Sequence, residues 1–203
     1  MLYVFPIVEG QGDERAIPVL IRNLLNNRFE HYEVEVLHPY RMPKGKMKQA
    51  SEWPPVSTLV FNRLSERVAA PADKGLVLVM CDSDDDCPVE LKATIQQNVA
   101  VSPDKIELHF VAPLREYETW LLSAVQSFAG HQDCVDPIPN VGNLDQIRDA
   151  KGYFERHILK TNRFYSETVD QAKFSSIIDF SIFPEDNCRS LKRFVDIFAR
   201  ILQ

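Results

Sequence analysis

No stretch of this 203-residue chain is apolar over the roughly 18 residues that a membrane-crossing helix needs. The N-terminus carries neither a basic region nor a small-residue cleavage site, so no secretory leader is expected and the expected location is cytoplasmic. Cysteine is sparse: Cys81, Cys87, Cys134 and Cys188 form no C-x-x-C pair, and no histidine stands at zinc-finger spacing from them. That argues against a zinc ribbon and reads as free thiols of a reducing compartment. Glycine is sparse too, seven in all, and the one glycine-bearing turn of interest, "EGQGDER", lacks a third glycine at dinucleotide-loop spacing. It also sets Asp13 and Glu14 where a pyrophosphate would need bare backbone amides, so that reading fails. Positive charge is in deficit, 23 Lys and Arg against 29 Asp and Glu, a formal net charge of −6. Bulk electrostatics therefore do not recruit a polyanion, and only a local patch can. The densest is "RMPKGKMK" (41–48), with Arg41, Lys44, Lys46 and Lys48 in what reads as a Pro- and Gly-containing loop; Arg189, Lys192 and Arg193 come next.

What is present is an ordinary globular balance, 45% hydrophobic and 26% charged, in a chain long enough for one substantial core. Residues 2–8 are almost wholly apolar, as a strand covered on both faces must be, and "GLVLVMC" (75–81) is clearer still. "VEVLHPY" (34–40) is a weaker strand, interrupted by Glu35 and Pro39, and "IELHFVA" (106–112) is a fourth, with Ile106, Leu108 and Phe110 on one face. Helical spacing falls between them, at 13–28, 56–69 and 87–99, with Pro18 awkward inside the first and Pro88 placed for the opening turn of the last. Strands alternating with helices predict an α/β, Rossmann-like fold: a parallel sheet of about four strands flanked by helices. The texture changes after Phe128, so we divide the chain into an α/β domain, 1–128, and a loop with a C-terminal helical extension packed on it, 129–203. Helices are expected at 144–160, 167–180 and 187–202, the last with an apolar stripe at Leu191, Phe194, Val195 and Phe198.

Two strands end on acid. "VEGQGDE" closes the first with Glu9, Asp13 and Glu14; "CDSDDDCP" closes the third with Asp82, Asp84, Asp85 and Asp86. In an open parallel sheet ligands bind beyond the carboxyl ends of the strands, so both clusters should share one edge. Carboxylates packed together raise one another's pKa unless a cation intervenes, and oxygen donors without His or Cys favour Mg2+ or Mn2+. Some of Asp84, Asp85 and Asp86 are instead expected to cap the helix that opens at Pro88. A third acidic group, Glu116 and Glu118 in "APLREYETWLL" (112–122), follows the fourth strand, and spacing leaves open which of the two faces the site. Lys151 and Lys173 are ordinary helix lysines by position, though a cation that offsets charge on a phosphoryl group is useful in such chemistry.

A strand ending in "VEGQGDE" followed by one ending in D-x-D ("CDSDD") resembles the Toprim signature of topoisomerases, bacterial primases, small ribosomal-RNA maturases and overcoming-lysogenization-defect nucleases. With "VEGQGDERAIPVLIRNLL", "APLREYETWLL", "DAKGYF" and "YSETVDQAKF", the chain resembles, over nearly its full length, a Toprim-like bacterial family, domain of unknown function 4276. The resemblance implies Glu9 as a general acid/base or metal-linked glutamate, Asp82 and Asp84 as metal ligands, and Asp13 as the acid serving a further metal. It favours Glu118, in an E-x-W pattern, over Glu116, and Lys173 over Lys151. It implies a Mg2+- or Mn2+-dependent nuclease acting on DNA or RNA, in anti-phage or anti-plasmid defence with a separate ATPase as partner. Two rival readings stand beside it: a glycosyltransferase whose D-x-D holds a nucleotide-sugar diphosphate, and a non-catalytic regulatory subunit that binds metal structurally.

Overall fold

The apolar runs form strands that are buried on both faces. A computed structural model of the chain describes residues 1–99, 102–182 and 187–203. In it β1 (Leu2–Val8) leads into α1 (Gln11–Arg28), then β2 (Val34–Val36) and β3 (Tyr40–Arg41). A short helix α2 (Lys44–Met47) and α3 (Trp53–Ser65) precede β4 (Lys74–Met80), which is followed by α4 (Pro88–Asn98), β5 (Ile106–Val111) and α5 (Glu118–Ser123). The strand pairings of this sheet are parallel; β1 lies beside β2 and β3 on one side and β4 on the other, with β5 as the outer neighbour of β4. The expected α/β class and parallel sheet are therefore present, with five strands in place of four. The segment read as one strand, 34–40, is two, both along β1, because Pro39 has no N–H to give the ladder.

Alternation along the strands sorts the core into two layers. Leu2, Val4, Val8, Leu76, Leu78, Met80 and Val111 face α1 and the C-terminal helices, while Phe5, Ile7, Val77, Val79, Cys81, Ile106 and Phe110 face α2, α3 and α4. α1 runs unbroken through Pro18, since Ile17, Leu20, Ile21, Leu24 and Leu25 are all fully buried and outweigh one missing ladder bond. All four cysteines are free, three of them buried and Cys87 exposed. No helix among the described residues is long and apolar enough to cross a membrane.

The C-terminal third departs most from its periodicity. The stretch read as a helix over 144–160 holds a single turn at Leu144–Gln146 and then α6 (Ala150–Tyr153), which widens into a π-helical turn at Phe154–Ile158. Asn143 and Asp149 accept from the amides of Asp145 and Gly152 and so start two separate turns, the competition that polar side chains set up against a continuous helix. The stretch read as 167–180 is a π-helical turn, Glu167–Gln171, passing into α7 (Ala172–Ser175). Only the last helix, α8 (Arg189–Ile201), follows its stripe, with Leu191, Phe194, Val195 and Phe198 buried against the α1 layer.

Candidate metal centre

The strand order turns back between β1, whose neighbours β2 and β3 lie to one side, and β4, whose neighbour β5 lies to the other. At such a switch point the loops leaving adjacent strands diverge and open a crevice at the carboxyl edge. Glu9 directly follows β1, and Asp82 follows Cys81 at the end of β4. Asp13 sits in the first turn of α1, where its Oδ2 accepts the Gly10 amide at 2.9 Å. Glu118 opens α5 and is buried, and Gln171 Nε2 donates to its Oε1 at 3.0 Å. The buried Tyr165 hydroxyl lies near the same carboxylate and has no hydrogen-bond partner among the described residues.

The loops after β4 and β5 are tied edge to edge. Ser83 N donates to Pro113 O at 3.1 Å, Asp84 N to Arg115 O at 3.0 Å, and Arg115 N to Ser83 Oγ at 2.7 Å. Asp84 and Arg115 both hold left-handed backbone, φ 48° and 60°, a conformation that asparagine and aspartate tolerate and arginine resists. These bonds bring Asp82, after β4, and Glu118, at the start of α5, to one crevice.

Electrostatics record the crowding. Burial, with Lys44 partly offsetting it and Asp84 adding to it, raises the pKa of Glu9. Burial and then the charges of Glu118, Glu9 and Glu167 push Asp13 up to about 6, against the pull of the Gly10 amide. Asp82 is pushed well above the carboxylate range by burial and by Asp13, Glu118, Glu9 and Asp84. Glu118 is raised by burial, which its hydrogen bond from Gln171 only partly counters. Four carboxylates thus act on one another across the crevice, as spacing along the chain predicted for two of the acidic groups.

Asp84 is placed differently from its partner in the D-x-D. It points outward and pairs with Lys44, whose Nζ also donates to Asp82 O at 3.1 Å and stands 3.3 Å from Asp86 Oδ2. Only 12% of the Lys44 side chain is exposed. Burial alone would lower its pKa, but Asp84, Asp86 and Glu9 outweigh that and raise it. The basic segment 41–48 is therefore not the solvated loop its composition indicates. Met42 and Met47 are buried, α2 forms, and Trp53 Nε1 donates to Met47 O at 2.7 Å, so that Lys44 and Lys48 are aimed at the acid loop; Lys48 meets Asp86 at 2.7 Å. The expected capping of α4 by Asp84, Asp85 or Asp86 does not occur: its cap residue is Cys87, without a side-chain bond. Asp86 pairs with the lysines and Asp85 with Arg148 at 3.9 Å.

The remaining residues separate. Glu116 accepts the Lys151 amide at 3.0 Å and braces α6, which leaves the crevice to Glu118. Lys173 pairs with Asp133, away from the four carboxylates, whereas Lys151 pairs with Glu167 at 2.5 Å and its ammonium feels Glu118 and Glu116. Position therefore reverses the order that resemblance gave the two lysines. Sequence reasoning missed Gln171, Tyr165 and the inward course of Lys44. Gln171 lies two residues before Lys173 in "YSETVDQAKF", and of the two it is Gln171 that meets Glu118.

The donor set fits a hard divalent cation. It is all oxygen, and Glu9 Oε2 and Gln171 Oε1 are buried without a hydrogen-bond partner among the described residues. No three acidic, histidine or cysteine side chains among the described residues already converge as ligands of one ion. A cation here would be held by Glu9 and Asp82, with Asp84 recruited away from Lys44 and Asp13 beside them.

Fold and crevice together define a Rossmann-like α/β protein with an acidic centre at its switch point. The chain belongs to the family described as domain of unknown function (DUF4276), whose model matches residues 8–199. No curated protein and no solved structure matches it.

Proposed function

We propose that this protein is a Mg2+- or Mn2+-dependent phosphodiesterase acting on DNA or RNA. One observation carries the reading: Glu9 after β1, Asp13 in α1, Asp82 after β4 and Glu118 in α5 are gathered at the switch point, their crowding only partly offset, with Glu9 Oε2 unpartnered among the described residues. A fold does not keep such a cluster for stability, because mutually repelling buried carboxylates weaken it. A bound divalent cation would supply charge stabilisation to a phosphoryl oxygen and lower the pKa of a bound water. The chain's own contribution is to hold Glu118 and Gln171 fixed and to keep Asp13 near neutrality, where a carboxylate can both accept and return a proton. The Lys44 ammonium acts on Glu9 and would stand beside a phosphate lodged there. A role in phage or plasmid defence beside a separate ATPase rests on the resemblance to the nucleases named above.

A glycosyltransferase would use the D-x-D and leave Asp13 and Glu118 idle, so we rank it lower. A non-catalytic regulator is favoured by one specific feature, the pairing of Lys44 with Asp84, which partly neutralises the acid loop without metal. Supercoiled plasmid and tRNA incubated with the protein in Mg2+, Mn2+ or EDTA separate the three. Metal-dependent nicking or cleavage that Asp82→Asn removes supports the phosphodiesterase; cation binding without turnover on any phosphodiester leaves the regulator.

A further inference from the structure

We infer that the groove between α8 and the edge strand β5 is the docking track for a nucleic-acid backbone, separate from the acidic centre that would act on it; the inference rests on the phosphodiester reading above. The basic segment 41–48 was the densest positive patch in the sequence, yet Lys44 and Lys48 are engaged by Asp84 and Asp86, and Lys46 stands 3.3 Å from Glu52. The track must lie elsewhere. A groove of about 290 Å³ is lined by His109, Arg189, Lys192, Arg193, Asp196 and Arg200, five basic or titratable nitrogen side chains against one carboxylate. In a chain of net charge −6 this is a local reversal of sign.

Helical geometry makes it a track. Arg189, Arg193 and Arg200 fall at spacings of four and seven on α8, so they form one stripe down the outer face, opposite the buried Leu191, Phe194 and Phe198. At 1.5 Å per residue the stripe is about 16 Å long, on the order of five phosphates of one strand at 3.4 Å each. Arg189 and Arg193 have no carboxylate partner among the described residues, and Arg193 Nε instead donates to Phe110 O at 3.3 Å, which anchors its stem and leaves its outer nitrogens available. Arg200 is held by Glu107 at 3.2 Å and by His109, and Lys192 by Asp196 at 3.3 Å, so Arg189 and Arg193 form the stronger anion site. Arg193 meets β5 at Phe110, its last residue but one, near the carboxyl end of the strand. Trp120, two residues beyond Glu118, meets α8 through Ser190 at 2.8 Å and packs on Phe194. A backbone seated on Arg189 and Arg193 therefore leads toward the carboxyl edge that holds Asp82 and Glu118.

The probe is a fluorescein-labelled 20-nucleotide DNA, single-stranded and duplex, titrated with the full chain in EDTA across a salt series and read by anisotropy. The wild type should bind with a steep salt dependence. Arg189→Ser with Arg193→Ser should weaken binding about tenfold or more and lower the salt slope by about 1.4 to 1.8, two phosphate contacts' worth. Lys46→Ser, whose ammonium is engaged by Glu52, should leave that slope unchanged. The same affinity and slope in the double arginine variant, with its melting temperature intact, overturns the track, as does a wild type that binds neither DNA. Cleavage separates the two readings. If the wild type cleaves DNA and the double arginine variant does so with unchanged KM, the track fails and the phosphodiesterase stands. If binding follows the arginines and no metal yields cleavage, the track stands and the phosphodiesterase fails.

Discussion

The ammonium of Lys44 lies against the carboxylate of Asp84, and its three other close oxygens, Asp82 O, Ser83 O and Asp86 Oδ2, belong to the same acid loop. A lysine from α2 thus neutralises part of the acid loop. Lys44→Met should lower the metal-free stability by roughly 1 kcal/mol, since Asp84 is largely exposed and its pairing is screened. For a domain of this size that is a fall of about 2–4 °C in melting temperature. Mg2+ should then raise the variant's melting temperature by more than the wild type's, because the ion no longer competes with the ammonium for Asp84. An equal metal-induced gain in both proteins, measured by scanning calorimetry, would show that Lys44 and metal do not share a site.

Metal binding itself is expected to depend on the pair at the end of β4. Isothermal calorimetry should detect Mg2+ or Mn2+ in the wild type, and Asp82→Ala with Asp84→Ala should abolish the signal. Retained binding in the double variant would move the centre away from the acid loop. At a free concentration of 100 Kd, bound metal stabilises the fold by about 2.7 kcal/mol, so melting curves provide a second readout.

Stability of the metal-free protein should fall as pH rises from about 4 through 6. Asp13 titrates near 6 in the folded chain and at its ordinary value of 3.8 when unfolded, so between these limits the folded state binds the extra proton. Raising pH removes that proton at the fold's expense; Asp82, Glu9 and Glu118, also raised, act with the same sign. The Asp13 contribution is roughly 1–3 kcal/mol. The opposite slope belongs to depressed groups such as Glu107 beside His109 and Asp133 beside Lys173, whose contribution is lost only as pH falls through their lowered values. Urea unfolding at pH 4.5 and 7 in EDTA checks the sign, and a fold more stable at 7 would contradict the crowding of the four carboxylates.

Gly12→Ala should destabilise although it removes a glycine from a helix. In an open helix the change gains about 0.8–1 kcal/mol. Here an added Cβ would overlap the Gln171 carboxamide, which reaches over the first turn of α1 to bond Glu118. The carboxamide can yield, but only by giving up that buried bond, at about 1–3 kcal/mol. The steric term should win by a small margin in denaturant melts. With Gln171→Ala as background, the same glycine change should become neutral or stabilising; a penalty that persists there would mean the overlap lies elsewhere.

Much of this protein follows from order along the chain. Uninterrupted apolar runs at 2–8 and 75–81 dictate buried parallel strands, because only a sheet covered by helices on both faces can accept them. A parallel sheet puts the ends of its strands on one edge, so Glu9 and Asp82 were bound to meet wherever β1 and β4 became neighbours. Three-dimensional packing decided what the carboxylates face. Lys44 reads as a loop lysine until Met42 and Met47 bury and turn it inward; Lys173 and Gln171 share one motif, and only the seating of α7 on α1 sends the first to Asp133 and the second to Glu118. The arginine stripe of α8 is visible as spacing, but its role depends on which strand forms the edge of the sheet. Periodicity specifies which side of an element is apolar and nothing more. Which polar side chains meet is settled by contacts between residues 40 to 152 positions apart, from Lys44 with Asp84 to Asn23 donating to Ser175 O, and local pattern carries no record of them.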